Sequence, residues 1–297
     1  VRIVIPTYRR VERQITLRNI PKRWHKRTDL IVDEVDAAYL KKTVPAGVSL
    51  IVHPPSVTSI AKKRKWILEH YNTTGVDKIM MFDDDLRFSR RRYSKPLKKG
   101  KPLPPFNITT ASEEEIDWAL RKVDRALDKY VHVGIGPRQG NNGILSAHRW
   151  YANSRMIYAL GYRVPEVVEH CVLGRIEHRE DMELCLQLLT QGYPNRVLVE
   201  LVVDQTYNSK GGASLERNMT ASNADAEKLA QMFPDFVKVV EREYKQSVSR
   251  KEVIVRWKKA YEYGRLQRSN GHSVRRRNVE DRKERKGAGR VREAAGT

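Results

Sequence analysis

The sequence predicts an α/β protein, a wound and mostly parallel sheet flanked by helices, with further helices and a basic tail behind it. Three observations carry this. Within the first ninety residues, short apolar runs alternate with segments of helical period in the order strand, helix, strand, strand, helix, strand, the pattern of parallel strands joined by crossovers. One of those runs, Ile79 to Phe82, drives straight into Asp83, Asp84 and Asp85. Beyond Arg265, apolar residues nearly vanish while cations accumulate, Arg275, Arg276 and Arg277 among them, so the tail cannot bury a core and is expected to be disordered when free.

In chain order, Arg2 to Ile5 reads as a strand stopped by Pro6, with Thr7, Tyr8, Arg9 and Arg10 in the loop after it. A helical pattern through Ile15, Leu17 and Ile20 ends at Pro21, where the missing amide and the ring break a helix. Leu30 to Val32 is a second strand core, ending in Asp33, Glu34 and Asp36, and Val48 to Val52 a third. Ser59 to Tyr71 has helical spacing, with Ile60, Trp66, Ile67 and Tyr71 apolar and Lys62, Lys63, Arg64 and Lys65 cationic. The aspartate strand follows. Residues 89–106 are basic and broken by proline, which reads as a long surface loop. Its Arg90, Arg91, Arg92, Lys98, Lys99 and Lys101 are candidates for DNA phosphate contacts, as are Arg275 to Arg277 of the tail.

Ser112 caps a helix through Tyr130 whose stripe is Ile116, Leu120, Val123 and Leu127. Val131 to Gly136 is a strand running into the polar, glycine-rich segment 137–143. Glu180 and Asp181 precede an apolar helix over Met182 to Leu189, with Gly192 as its C-terminal stop. Such acids are often only partners of the helix dipole. Val197 to Val203 is the last sheet strand, and three helices are expected at 224–232, 236–244 and 253–263.

Side chains alternate along a strand, so Asp83 and Asp85 point one way and Asp84 the other. Two converging carboxylates are relieved by a divalent cation such as Mg²⁺ or Mn²⁺ shared with a phosphate. The plainer reading is an acidic strand end or helix cap. No Gly-x-Gly-x-x-Gly or Walker Gly-Lys-Ser/Thr is present to cradle phosphates, so metal plus Lys/Arg must hold them, which suits the aspartates and Arg64. The formal net charge of +21 over 297 residues points to a polyanionic partner, nucleic acid before membrane. No apolar run is long enough for a bilayer, and no signal segment opens the chain. A cytoplasmic location is expected, with Cys171 and Cys185 as buried thiols in a reducing compartment.

Four segments in this order, "RIVIPTYRR", "SIAKKRKWILEHY", "IMMFDDDLRF" and "HREDMELCLQLLTQGY", resemble the GT-A glycosyltransferases over about residues 1–215. With the basic chain, "GIGPRQGNN" and "YNSKGGASLER" look most like the TET-associated glycosyltransferases of bacteriophages, thought to put sugars on 5-hydroxymethylated pyrimidines in phage DNA. The resemblance implies a glycosyltransferase domain over 1–215, with a nucleotide-sugar donor half at 1–90 and an acceptor half at 107–215, then a helical extension over 216–264 and a basic tail over 265–297. It implies that Pro6, Thr7, Tyr8 and Arg9 hold base and ribose, helped by Asp33 or Asp36, and that Arg64 meets the diphosphate or donor sugar. Asp83, Asp84 and Asp85 belong to the donor site, with Asp83 and Asp85 as ligands of Mn²⁺ or Mg²⁺. Asp181, with Glu180 beside it, is the implied base for the acceptor hydroxyl. Many GT-A enzymes add a histidine ligand after the last core strand; here Asp204-Gln205-Thr206 stands there, leaving Asp204, His178 or water as the third ligand.

The expected reaction is therefore sugar transfer from a nucleotide-sugar, by family analogy a UDP-sugar, to a hydroxymethylated pyrimidine of DNA, with no membrane partner. Competing readings keep the fold but take a protein, lipid or glycan acceptor, exchange glycosyl for nucleotidyl transfer, or reduce the chain to a non-catalytic DNA-binding module.

Overall fold

The computed structural model describes residues 1–94, 106–139, 150–205, 219–243 and 249–270. Lys98, Lys99, Lys101 and Arg275 to Arg277 lie outside the described residues, as do 140–149 and 206–218.

The wound α/β expectation holds. Strands β1 (Arg2–Pro6), β2 (Thr28–Val32), β3 (Ser49–Val52) and β4 (Lys78–Phe82) are parallel, in the spatial order β3-β2-β1-β4. Between them run α1 (Ile15–Asn19), α2 (Glu34–Leu40) and α3 (Ile60–Thr73). The sheet continues through β9 (Ala159–Arg163), β7 (His132–Pro137), β10 (Asn195–Gln205), β5 (Leu86–Tyr93) and β6 (Phe106–Thr110), with β8 (Trp150–Ala152) on β10. Pairing fixes β6, β7 and β10 in the direction of β1 to β4, and β5, β8 and β9 against it. The chain winds from β1 out to β3 and returns to place β4 on β1's other side. That reversal opens a crevice at the strands' carboxyl ends, where such sheets hold ligands.

Alternation explains the burial. Met80 and Phe82 pack with α1 and with α4 (Glu113–Leu127) on one face; Ile79 and Met81 face α3, α5 (Val164–His170) and α6 (Glu180–Thr190) on the other. A strand buried on both faces must read as an unbroken apolar run, as β4 does. Gly161 of β9 is required by close packing: a Cβ there would stand 2.8 Å from the Val133 carbonyl. No helix among the described residues is long and apolar enough to cross a membrane.

Three sequence expectations need correction. The expected loop at 89–106 begins as strand: Arg90, Arg91 and Arg92 lie in β5, paired antiparallel with β10 and β6. Leu86 and Phe88 already alternate into the core, and the arginines masked the pattern's continuation. The helix expected at 236–244 is β11 (Val237–Glu243), which pairs with β12 (Ser249–Val255), where the third helix was expected to begin. Val237 faces Val255 and Val239 faces Val253, a β-branched period of two that suits a ribbon rather than a helix. The last helix, α8 (Trp257–Ser269), starts later and runs past the boundary expected at 264. With α7 (Met219–Met232), these elements close a third apolar cluster over α6, joining Met182, Leu186 and Leu189 to Leu229, Phe236 and Ala260.

Candidate active site

Asp83 to Asp85 do not continue the strand. β4 ends at Phe82, and the three aspartates turn the chain into β5. Thr16 pins that turn, donating its hydroxyl to the Asp83 carbonyl at 2.5 Å, accepting the Leu86 amide at 2.9 Å, and giving its own amide to the Asp84 carbonyl at 3.0 Å. The loop after β1 meets the turn across the crevice. Thr7 donates its hydroxyl to Asp84 Oδ2 at 2.6 Å, and Arg10 spans Asp84 at 2.5 Å and Asp85 at 3.0 Å. Burial pushes the Asp84 carboxyl up to about 6, against the pull of Arg10 and Thr7.

Asp83 turns the other way, toward α3 and α6. Arg64 donates to Asp83 Oδ1 at 2.7 Å and also to Glu180, so one guanidinium joins the β4 turn to the first turn of α6. Burial opposes the charge on Arg64, but Glu180, Asp83 and Asp181 outweigh it and raise its proton affinity. Burial also raises Asp83, against Arg64 and with the Asp85 and Asp181 charges adding to the rise. Glu180 is pushed up to about 7, chiefly by burial, with Arg64 opposing and Asp181 adding. Arg155 reaches Asp181 at 3.4 Å.

The donor-side residues named from sequence sit together, with their work divided. Lys63, only 4% exposed, donates to the Thr7 carbonyl at 2.8 Å and lies 5.5 Å from the Tyr8 ring centroid. Arg9 has a left-handed φ of 54° and gives its amide to Asp36 at 2.7 Å. Asp33 caps α2 through the Asp36 amide at 2.7 Å. Pro6 closes β1. Asp33 and Asp36 thus shape the loop that presents Tyr8.

As for a cation, among the described residues no group of three His, Cys, Asp or Glu is gathered to hold one. Mg²⁺ is commonly bound by one or two carboxylates with phosphate and water completing its shell. Asp83 and Asp85 supply that minimum, and the raised proton affinity of Asp83 is what a nearby cation would relieve. The donor set therefore fits, provided its present partners yield. Those are Arg10 on Asp85, and Arg64 and Gln205 Nε2 on Asp83, the last at 3.3 Å. Gln205 stands where the third ligand was sought. His178 is bound to Asp225 at 3.0 Å, and Asp204 lies 3.6 Å from Arg138.

α6 is held from behind. Asp225 of α7 accepts the Glu177 amide at 3.1 Å, the His178 amide at 2.7 Å and His178 Nδ1 at 3.0 Å. Arg179, immediately before Glu180, has a left-handed φ of 69°, uncommon for a residue with a Cβ. Its guanidinium donates to the Ser222 carbonyl at 2.5 Å and the Lys251 carbonyl at 2.8 Å.

Arg90, Arg91 and Arg92 of β5 have partners on α4, β6 and β10. Arg91 is 2% exposed with Phe106 5.2 Å from its guanidinium, and burial lowers its proton affinity. Arg90 lies on Trp118 at 4.3 Å and reaches Glu200 at 3.5 Å; Arg92 reaches Glu115 at 3.1 Å. Sequence reasoning missed Arg10, Lys63, Arg155 and Gln205 as site residues. A charge argument could have found Arg10, a cation in the loop that faces three aspartates across the crevice.

Comparison with known proteins adds the following. The sequence model of the TET-associated glycosyltransferase family matches residues 1–212. The beta-glucosyl-HMC-alpha-glucosyl-transferases of Enterobacteria phages T6 and T2 are each 26% identical to this chain over 244 residues, covering 79% of it and 82% of their own length. Among solved structures, mannose-1-phosphate geranyltransferase from Thermus thermophilus aligns with a TM-score of 0.40 at 11% identity, over 91% of this chain and 98% of that one.

Proposed function

The chain belongs to the TET-associated glycosyltransferase family, and on that premise we propose that it moves a sugar from a nucleotide-sugar, a UDP-sugar, to the hydroxyl of a hydroxymethylated pyrimidine in phage DNA. The observation that carries the reading is Arg64: it donates both to Asp83, 19 residues on, and to Glu180, 116 residues on, so the β4 aspartate turn and the acids opening α6 meet at one guanidinium. The choice of DNA rests on the charge of +21 and on relatives named for glucosyl transfer involving HMC.

Tyr8 offers its ring to the base, and Arg64 takes the diphosphate oxygens. Asp83 and Asp85 would hold Mn²⁺ or Mg²⁺ together with those phosphates. When bound, the cation would neutralise charge on the departing diphosphate. Asp181 takes the proton of the acceptor hydroxyl as that oxygen bonds to the anomeric carbon and the diphosphate leaves with the electron pair of the broken bond. Arg155 keeps Asp181 in place. Holding both reactants in one crevice supplies much of the acceleration for a weak alcohol nucleophile. The target base must leave the duplex to reach the crevice.

The test offers the protein a panel of nucleotide-sugars with Mn²⁺ and DNA containing 5-hydroxymethylcytosine, read by nucleoside mass spectrometry. We expect a hexose on the modified base, none on unmodified DNA, and none with Asp85→Ala. Asp181→Asn should slow transfer by about 10²- to 10⁴-fold, the usual contribution of a general base. Free sugar without modified nucleoside would overturn the DNA acceptor; no donor turnover would overturn the reaction.

A further inference from the structure

The ribbon β11–β12 has two unlike faces. Val237, Val253 and Val255 pack inward on the cluster that covers α6. The residues between them point outward: Lys238, Arg242 and Arg250 are exposed, as is Arg256 just after the ribbon, with Ile254 53% exposed beside them. Arg242 stands directly opposite Arg250 in the register. Like charges placed so are destabilising. Glu252 is the carboxylate this face sets against them, 3.3 Å from Arg242 and 3.7 Å from Arg250. Among the described residues, four cations against one carboxylate leave the face strongly positive.

Its position gives that charge a direction. The Lys251 carbonyl accepts from Arg179, which precedes Glu180 and Asp181. Burial lowers the proton affinity of Arg179, and the charges of Arg250 and Arg155 press the same way. Arg179, the residue before Glu180, is thus joined to β12 by a contact at the Lys251 carbonyl, the next residue along β12 from Arg250, and Arg155 lies 3.4 Å from Asp181.

We propose that the outer face of β11–β12 is the docking surface for the phosphate backbone of acceptor DNA, holding the strand where a displaced base reaches Asp181. The inference rests on the reading of DNA as acceptor. Arginines on a ribbon meet phosphates by charge and fix register without reading sequence. The surface replaces Arg90 and Arg91 in that role, because those two are engaged inside the fold.

The test is fluorescence anisotropy with a labelled duplex carrying 5-hydroxymethylcytosine, without donor, across a salt series. The full chain is compared with the pair Arg242→Gln and Arg250→Gln, and with a charge-matched pair, Lys41→Gln and Lys42→Gln. The ribbon pair should bind roughly tenfold more weakly and lose about two units of the salt slope, one per phosphate contact. The control pair should match wild type, and transfer to the free modified nucleoside should be unchanged in both. Affinity and slope equal to wild type in the ribbon pair, or an equal loss in the control pair, overturns the proposal. Because anisotropy needs no turnover, failure of the surface is distinct from failure of the reaction: wild type that binds through the ribbon but transfers no sugar keeps the surface and loses the glycosylation.

Discussion

The two walls of the crevice are built on different principles. The wall after β1 and β4 is assembled from loops that parallel pairing sets side by side, and each acid already has a protein partner: Thr7 and Arg10 on Asp84, Arg10 on Asp85, Arg9's amide on Asp36. The α6 wall takes its position from residues far downstream, through Asp225 and through the left-handed Arg179. The first wall is fixed by the sheet, and the second is fixed by a separate layer docked onto it. Substrate binding and proton removal should therefore fail independently, and Arg64, which touches both, should be the exception.

Arg64→Met gives the largest effect. Removing one partner of a buried ion pair strands the others and costs about 3–5 kcal/mol, here with Asp83 and Glu180 left facing one another. We expect that loss in urea unfolding, with donor binding and transfer falling together; loss of transfer alone, at full stability, would break the idea of a shared bridge.

Asp225→Ala should come next. It leaves two backbone amides and an imidazole without their acceptor, a cost of about 1–3 kcal/mol. Transfer kcat should drop while donor KM stays within about twofold, since a positioning defect on one wall costs transition-state binding more than ground-state binding. An equal change in both would show that the walls are not independent. Asp225→Asn, which keeps an acceptor oxygen, should recover part of kcat.

The smallest effect is on pH. Glu180, raised to about 7 by burial, binds a proton more readily folded than unfolded. That contribution to stability is complete below the ordinary glutamate value near 4.5 and is lost as pH rises through about 7. Activity runs the opposite way, because the Arg64 pair needs the charged form: transfer should rise through neutrality. Glu180→Gln should flatten that limb and remove the stability loss; a limb unchanged in that variant would assign it elsewhere.

Much of the first wall was legible in the sequence because its signals are local. Ile79 to Phe82 is long enough to be read as a buried strand, Pro6 marks where β1 must stop, and the order of elements implies the winding. Asp33 was read only as a strand end and a helper at base and ribose; its place as the cap of α2 was not read. The second wall was legible only as a motif. Glu180 and Asp181 could be named, but Arg155, Arg179 and Asp225 meet them through folding alone. β11 and the end of β12 were misread as helix because the ribbon's solvent face is charged and its valines are spaced for contact with a layer distant in sequence. In β5, Arg91 stands opposite Ile108 of β6 and lies buried against Phe106, the partner of Tyr93 two places along, a contact visible only once the register is known.

The outer face of α6 carries a consequence for how such proteins can be recombined. The family match ends at residue 212, yet Leu186 and Leu189 are fully buried beneath Leu229, Phe236 and Ala260, all beyond it. A chain cut at the match boundary would offer those leucines to water and invite self-association. A part exchanged between relatives would therefore have to carry Asp225, Ser222 and Lys251 together, so that the incoming layer still closes over α6 and still grips Arg179.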